Sequence, residues 1–325
     1  MGLLVDGTWQ DQWYDTNASG GRFVRKDASF RNWLTADGSA GPSGEGGFKA
    51  EADRYHLYVS LACPWAHRTL IFRKLKKLED LISVSVVHHF MGTKGWTFET
   101  DEAATGDPLF GSTHMHQIYT RDTPDVTTRV TVPVLWDKKQ NRIVSNESSE
   151  IIRMFNSAFN EITGDTADYY PEKMRADIDA LNEPIYNNVN NGVYRCGFAT
   201  TQEAYEEAVV PLFETLDMLE ERLTTNRYLM GDQITEADWR LFTTLVRFDP
   251  VYVSHFKCNI RRIREYPNLW NYTKELYQVP GVAETVNMHH IKTHYFGSHE
   301  SVNPTRIVPM GPQLDYSEPH DRARL

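Results

Sequence analysis

Only three cysteines occur in 325 residues, and Cys63, Cys196 and Cys258 lie far apart. That number and spacing exclude a disulfide framework and a zinc knuckle, and they fit a reducing, cytoplasmic compartment. No run approaches the roughly 20 apolar residues that a membrane span needs. The opening Met1-Gly-Leu-Leu-Val-Asp-Gly7 has neither the basic stretch nor the apolar core of a signal peptide. Positive charge is also short: 34 Lys and Arg stand against 44 Asp and Glu, a formal charge of -10. Nucleic acid and anionic membranes reward a basic footprint, so neither is expected as a main partner. A small anionic ligand stays open, because a few local arginines outweigh a distant net charge. Internal repeats and low-complexity tracts are absent.

What is present reads as two domains with additions at both ends. Residues 1–50, rich in Gly, Ser and Asp, form an irregular extension that Trp9, Trp13, Tyr14, Phe23, Phe30 and Trp33 would anchor by burial. From 51 to 160 the pattern tightens. A strand at about 55–60, a helix at about 64–78 and the strand Ile82–His88 make a βαβ unit with a parallel pair. After a polar insertion at about 91–125, Arg129–Asp137 reads as a strand, Asn141–Val144 as its hairpin mate, and Ser145-Asn-Glu147-Ser148 as the start of a helix. This βαβ-then-ββα order is thioredoxin-like. Residues 170–312 turn to helical periodicity, with an apolar stripe from Ala208 to Leu219 and a helix start at Thr235, whose partner in a capping box is Asp238. The end of this region, from about Ser298 to Pro312, reads as an extended strap, and 313–325 as a polar, frayed tail.

The chain is organised around Tyr58-Val-Ser-Leu-Ala-Cys63-Pro-Trp-Ala66-His-Arg68. Proline is tolerated in the first turn of a helix, where its missing N–H has no intrahelical partner. Cys63 therefore falls at a helix N-terminus, where unpaired N–H groups and the helix dipole favour thiolate over thiol. The alternative is a buried structural cysteine. A redoxin resolves its mixed disulfide with a second cysteine three positions on; here that position is Ala66, so an external thiol must clear Cys63. The pairs His88-His89 and His289-His290 suggest a metal, but adjacent side chains diverge on a strand and splay on a helix, so no metal is expected. His67, beside the active turn, reads as structural.

The motifs Cys63-Pro64-Trp65-Ala66-His67-Arg68, Gly95-Trp96-Thr-Phe98, Arg129–Asp137, Ser145-Asn-Glu147-Ser148, Asn191–Ala199 and His294-Tyr295-Phe together resemble the glutathionyl-hydroquinone reductases, the xi class of glutathione transferases. The resemblance spans nearly the whole chain. It implies a thioredoxin-like N-terminal domain followed by a glutathione-transferase-type helical bundle, an α/β plus all-α fold. It also implies that glutathione is a consumed cosubstrate, that no nucleotide or metal is used, that glutathionylated aromatic hydroquinones are the second substrate, and that the protein is a homodimer.

Residue by residue, the resemblance makes Cys63 the nucleophile and Pro133 a cis-proline. Val132 and Val134 then present a backbone edge to the cysteinyl part of glutathione. Glu147 and Ser148 take its γ-glutamyl end, where a helix start also suits a carboxylate. Trp96 and Arg129 flank the tripeptide, and Tyr194 and Tyr295 hold the phenolic oxygens. Tyr252, within Phe248-Asp-Pro-Val-Tyr-Val, is a weaker candidate for the same role and reads first as a core residue, and Cys196 stands where close relatives would carry alanine. Two other functions remain: an omega-like thiol transferase or dehydroascorbate reductase, and a non-catalytic scaffold, which would need no nucleophile at this turn.

Overall fold

The computed structural model describes residues 2–325. The chain forms two compact units, neither of them continuous in sequence. The first takes the residues up to Trp13, then Lys26–Ala167 and Thr285–His294; the second takes Tyr14–Arg25, Asp168–Glu284 and Tyr295–Leu325.

In the first unit the extension is not irregular. Strand β1 (Leu3–Val5) pairs with β2 (Thr8–Gln10), and β3 (Leu34–Thr35) lies parallel to β4 (Phe48–Lys49). Its anchors also differ from expectation. Leu4, Leu34 and Phe48 are wholly buried and Phe23 nearly so, whereas Trp9, Trp13, Tyr14, Phe30 and Trp33 are only half-buried. The amphipathic indoles and the phenol cover surface, while two leucines and two phenylalanines, which have no polar atom to keep in water, fill the interior.

The central sheet starts with β5 (Tyr55–Val59), buried along its whole length, and continues through the crossover helix α1 (Pro64–Leu75) into β6 (Ile82–Val86), parallel to β5. Short strands β7 (Met91–Gly92) and β8 (Gly95–Trp96) form a hairpin, and helix α2 (His116–Asp122) follows. The stretch is polar in sequence, yet it buries Met115, Ile118 and Tyr119 completely. The Tyr119 hydroxyl donates to the Thr131 carbonyl and accepts from the Thr131 N–H and the Asn146 amide, which fastens the loop before Pro133.

The expected strand 129–137 is divided: β9 (Thr128–Arg129) pairs with β1, and β10 (Val134–Asp137) joins the central sheet antiparallel to β5. Proline cannot donate to a ladder, so the break falls at Pro133. Strand β11 (Arg142–Ser145) completes the order β11-β10-β5-β6, and α3 (Ser148–Ser157), which packs on α1, and α4 (Asn160–Thr163) follow. Below the sheet Arg54 makes a buried ion pair with Asp137, whose carboxylate also accepts the N–H groups of Lys139 and Gln140.

The second unit contains α5 (Arg175–Pro184), α6 (Gly192–Gly197), α7 (Gln202–Arg222), α8 (Glu236–Arg247), α9 (Val253–His255) and α10 (Pro267–Gln278), with α11 (Met288–Ser298) passing from the first unit into the second after His294. Two π-helical segments, Ile185–Asn190 and Phe248–Tyr252, interrupt the run. Helix α8 is buried on every side, and its start is held as the sequence predicts: Asp238 accepts from the N–H and hydroxyl of Thr235. The tail is not frayed. The Tyr316 hydroxyl donates to the Val246 carbonyl, and the buried Arg322 guanidinium donates to the carbonyls of Asn226 and Arg227.

Candidate active site

Cys63 caps α1 in an extended conformation (φ -76°, ψ 121°) with Pro64 as the first helical residue. The corner is closed by backbone bonds, Cys63 N–H to the Ser60 carbonyl and His67 N–H to the Cys63 carbonyl. The residue is half-buried and its sulfur is a thiol, as are the buried Cys196 and Cys258. The Val132–Pro133 bond is cis. Cys63 Sγ lies 3.4 Å from the Val132 carbonyl oxygen, so the thiol and the edge of this loop face each other.

Glu147 caps α3, and one carboxylate oxygen accepts both the N–H (2.9 Å) and the hydroxyl (2.7 Å) of Ser149. Ser148 is the first residue of the helix, and its hydroxyl lies 3.4 Å from a guanidinium nitrogen of buried Arg68. A cation, a hydroxyl and a helix N-terminus together suit a carboxylate ligand. Arg68, which also lies over the Trp65 ring at 4.7 Å, is the residue the motif reading passed over. Its signal in the sequence is only its position, five residues after Cys63 on α1, a helix that also carries Arg73 and Lys74.

Trp96 is buried and stacks on His294, centroids 4.6 Å apart at 23°. Arg129 spends its guanidinium on the extension, donating to the carbonyls of Gln12 and Trp13. It therefore ties down the segment beside it.

In the second unit three phenols form a chain. The hydroxyls of Tyr194 and Tyr295 are 2.5 Å apart, and that of Tyr252 is 3.0 Å from Tyr295. Burial, then the neighbouring Tyr194, holds Tyr252 and Tyr295 well above the usual phenol range, so both stay protonated. Arg25 lies 5.1 Å over the Tyr194 ring and donates to Asn191. The core reading of Tyr252 is thus incomplete: it is fully buried, but its hydroxyl belongs to the tyrosine chain. Only tertiary structure joins it to residues 43 and 58 positions away, so no local signal marks it.

The histidine pairs also depart from expectation. Strand β6 ends at Val86, so His88 and His89 do not alternate across a sheet, and their rings pack 4.1 Å apart. Asp101 and His290 meet them there. His67 bonds Thr285, consistent with a structural role.

The chain matches the glutathione S-transferase N-terminal domain over residues 62–158 and the C-terminal domain over 202–275. It is 60% identical over 323 residues to glutathionyl-hydroquinone reductase YqjG of Escherichia coli strain K12, covering 99% of this chain and 98% of the relative. The chain belongs to this family, the glutathionyl-hydroquinone reductases of the xi glutathione transferase class. A solved structure of the E. coli protein with glutathione bound superposes with a TM-score of 0.92 at 57% identity, covering 99% of both chains. A xi-class glutathione transferase from Natrialba magadii gives 0.93 at 51%, covering 100% of this chain and 98% of that one. The shared architecture is a thioredoxin-like half followed by a helical half, as expected from the sequence. Among the described residues no helix is long and apolar enough to cross a membrane.

Proposed function

We propose that the protein is a glutathione-dependent reductase of glutathionyl-hydroquinones working through a Cys63–glutathione mixed disulfide. The observation that carries this reading is a lone thiol at a helix start, 3.4 Å from the carbonyl before a cis-proline, with alanine where a resolving cysteine would stand.

The Cys63 thiolate attacks the glutathionyl sulfur of the substrate. A sulfur–sulfur bond forms, the bond from sulfur to the ring carbon breaks, and its electron pair passes to the ring. That carbon then takes a proton. Charge that develops on a ring oxygen during this step is stabilised by hydrogen bonds from neutral hydroxyls, the role of Tyr194 and Tyr295, with Tyr252 supporting Tyr295 from behind. A second glutathione, as thiolate, attacks the mixed disulfide, releases glutathione disulfide and restores Cys63. The net change is one glutathionyl-hydroquinone and one glutathione giving one hydroquinone and one glutathione disulfide.

Glutathione lies along the Val132–Val134 edge, where the Val132 carbonyl accepts its cysteinyl N–H. Its γ-glutamyl ammonium meets Glu147. Its carboxylate meets Ser148, the first N–H groups of α3 and Arg68. Trp96 and Arg129 flank the tripeptide, Arg129 by holding residues 12 and 13 in place. Neither a metal nor a nucleotide takes part in these steps. The working form is a cytoplasmic homodimer: a thiol enzyme reset by glutathione needs a reducing compartment, and the dimer is what membership of the family implies.

Mass spectrometry after mixing with a glutathionyl-hydroquinone tests the reading. A glutathione adduct on Cys63, reversed by free glutathione and absent in Cys63→Ala, is expected. Full activity in Cys63→Ala without any adduct would sink it. Light scattering checks the dimer.

A further inference from the structure

Three imidazoles converge on one carboxylate oxygen in the first unit. His89 Nδ1, His290 Nε2 and His88 Nε2 lie 3.0, 3.1 and 3.5 Å from Asp101 Oδ2. The other oxygen, Oδ1, accepts the N–H groups of Ala103 and Ala104 at 2.7 and 2.6 Å, and His290 Nε2 also comes within 3.3 Å of it. The loop therefore holds the carboxylate rigidly and turns Oδ2 toward the rings. His89 hydrogen-bonds Oδ2 and His290 hydrogen-bonds Oδ1, while His88 Nε2 stands 3.5 Å from Oδ2 with its Nδ1 accepting the Phe90 N–H. His88 Nε2 becomes a ligand once the ring proton moves to Nδ1, which releases that N–H.

A cation draws such donors together, each giving it one lone pair. We propose that His88, His89 and Asp101 form a binding site for a late first-row divalent cation of the zinc type. Two imidazole nitrogens and one carboxylate oxygen, with water in the fourth position, are a donor set suited to zinc. With metal–ligand bonds of about 2.0–2.1 Å, donors at the corners of a tetrahedron stand about 3.3 Å apart. The His89 and His88 separations from Oδ2, 3.0 and 3.5 Å, bracket that edge, and the donor atoms of His88, His89 and Asp101 all lie within 4.8 Å of one another. The site joins the chain just after β6 to the loop at 101, and His290, at the start of α11, holds the carboxylate beside it.

The cluster is tied to the glutathione region without belonging to it. The His89 carbonyl lies 2.9 Å from His294 Nδ1, and His294 carries the stacked Trp96. An ion at the cluster fixes His89 and so braces that stack.

The test is zinc stoichiometry on the full chain carrying Cys63→Ser, so that the reactive thiol does not compete. Chelator-treated protein is titrated with zinc against a chromogenic indicator. One equivalent per chain is expected, with affinity lowered at least tenfold in His89→Gln, whose amide can still donate to Asp101 while its thermal midpoint without zinc stays unchanged. His88→Gln serves as the second variant should the first not fold. Cobalt in place of zinc should give the intense visible absorption of a tetrahedral site. No stoichiometric zinc, or undiminished binding in the variants, as when other surface histidines take the metal, would overturn the assignment.

Discussion

The corner at Cys63 and the tyrosine chain at Tyr295 are built from different materials. The first is nearly all backbone: the start of α1, the Val132 carbonyl before a cis bond, and the start of α3 with its cap. The second is side chain throughout, three hydroxyls in a box of aromatic rings that includes Phe198, Phe256 and His299. A site made of main-chain groups keeps its shape when neighbouring side chains change, and it suits a tripeptide whose own backbone needs partners. A site made of buried hydroxyls depends on every member, because an unpaired polar group in such a box costs about 1–3 kcal/mol.

The largest expected effect separates the two at once. Cys63→Ser should lower turnover of glutathionyl-hydroquinones at least about a thousandfold, since a serine hydroxyl is not ionised as the thiol is and makes no mixed disulfide. Steady-state kinetics with intact glutathione binding would confirm that only the nucleophile is gone.

Acid should weaken both regions. Each unit holds a buried imidazole: His56 sits between the Ser83 and Ser85 hydroxyls in the central sheet, and His255 pairs with His299 beside Tyr295. Burial pushes each down to about 4. In the unfolded chain histidine titrates near 6.5, so between pH 6.5 and 4 only the unfolded form takes the proton. The stabilisation is complete above 6.5 and is lost as the pH falls to 4, by about 3 kcal/mol per residue. The urea midpoint should drop across this window, and His56→Gln, which can still bond both serines, should flatten the drop; an unchanged slope would count against the burial argument.

Removing one hydroxyl from the tyrosine chain is the next smaller step. Tyr295→Phe breaks both bonds of the chain and should lower hydroquinone release about a hundredfold, while glutathione-dependent reduction of a small disulfide is spared. Equal losses on both substrates would erase the division of labour between the two regions. The smallest effect is Glu147→Gln, which removes a charge facing the ligand ammonium and should raise the KM for glutathione about tenfold with kcat little changed.

Legibility in the sequence follows the same divide. The thiol corner is local: Cys63-Pro64 announces a helix start, Ala66 removes the resolving cysteine, and Ser145–Ser148 announces a second helix start, all within short windows. Pro133 is cis as the family pattern implies. The tyrosine chain is not legible from periodicity, because Tyr194, Tyr252 and Tyr295 are three of 16 tyrosines and meet only through the fold. His88 and His89 mislead for a related reason. The rule that neighbours diverge holds inside a strand, and β6 stops two residues earlier. The tail misleads because its two anchors, Tyr316 and Arg322, sit among ten exposed or polar neighbours that look unattached.

The segment Tyr14–Arg25 counts with the second unit although its neighbours on both sides belong to the first. Its partners are synthesised late: Arg22 grips Glu207, and the Gly21 carbonyl accepts from Thr200. At 5–20 residues per second, roughly ten to forty seconds pass between the emergence of Arg25 and that of Glu207. The first unit in turn waits for Thr285–His294. Neither half can therefore be finished while the ribosome is still working through the middle of the chain, and a nascent chain stopped near residue 170 would carry an early segment with nothing yet made to receive it.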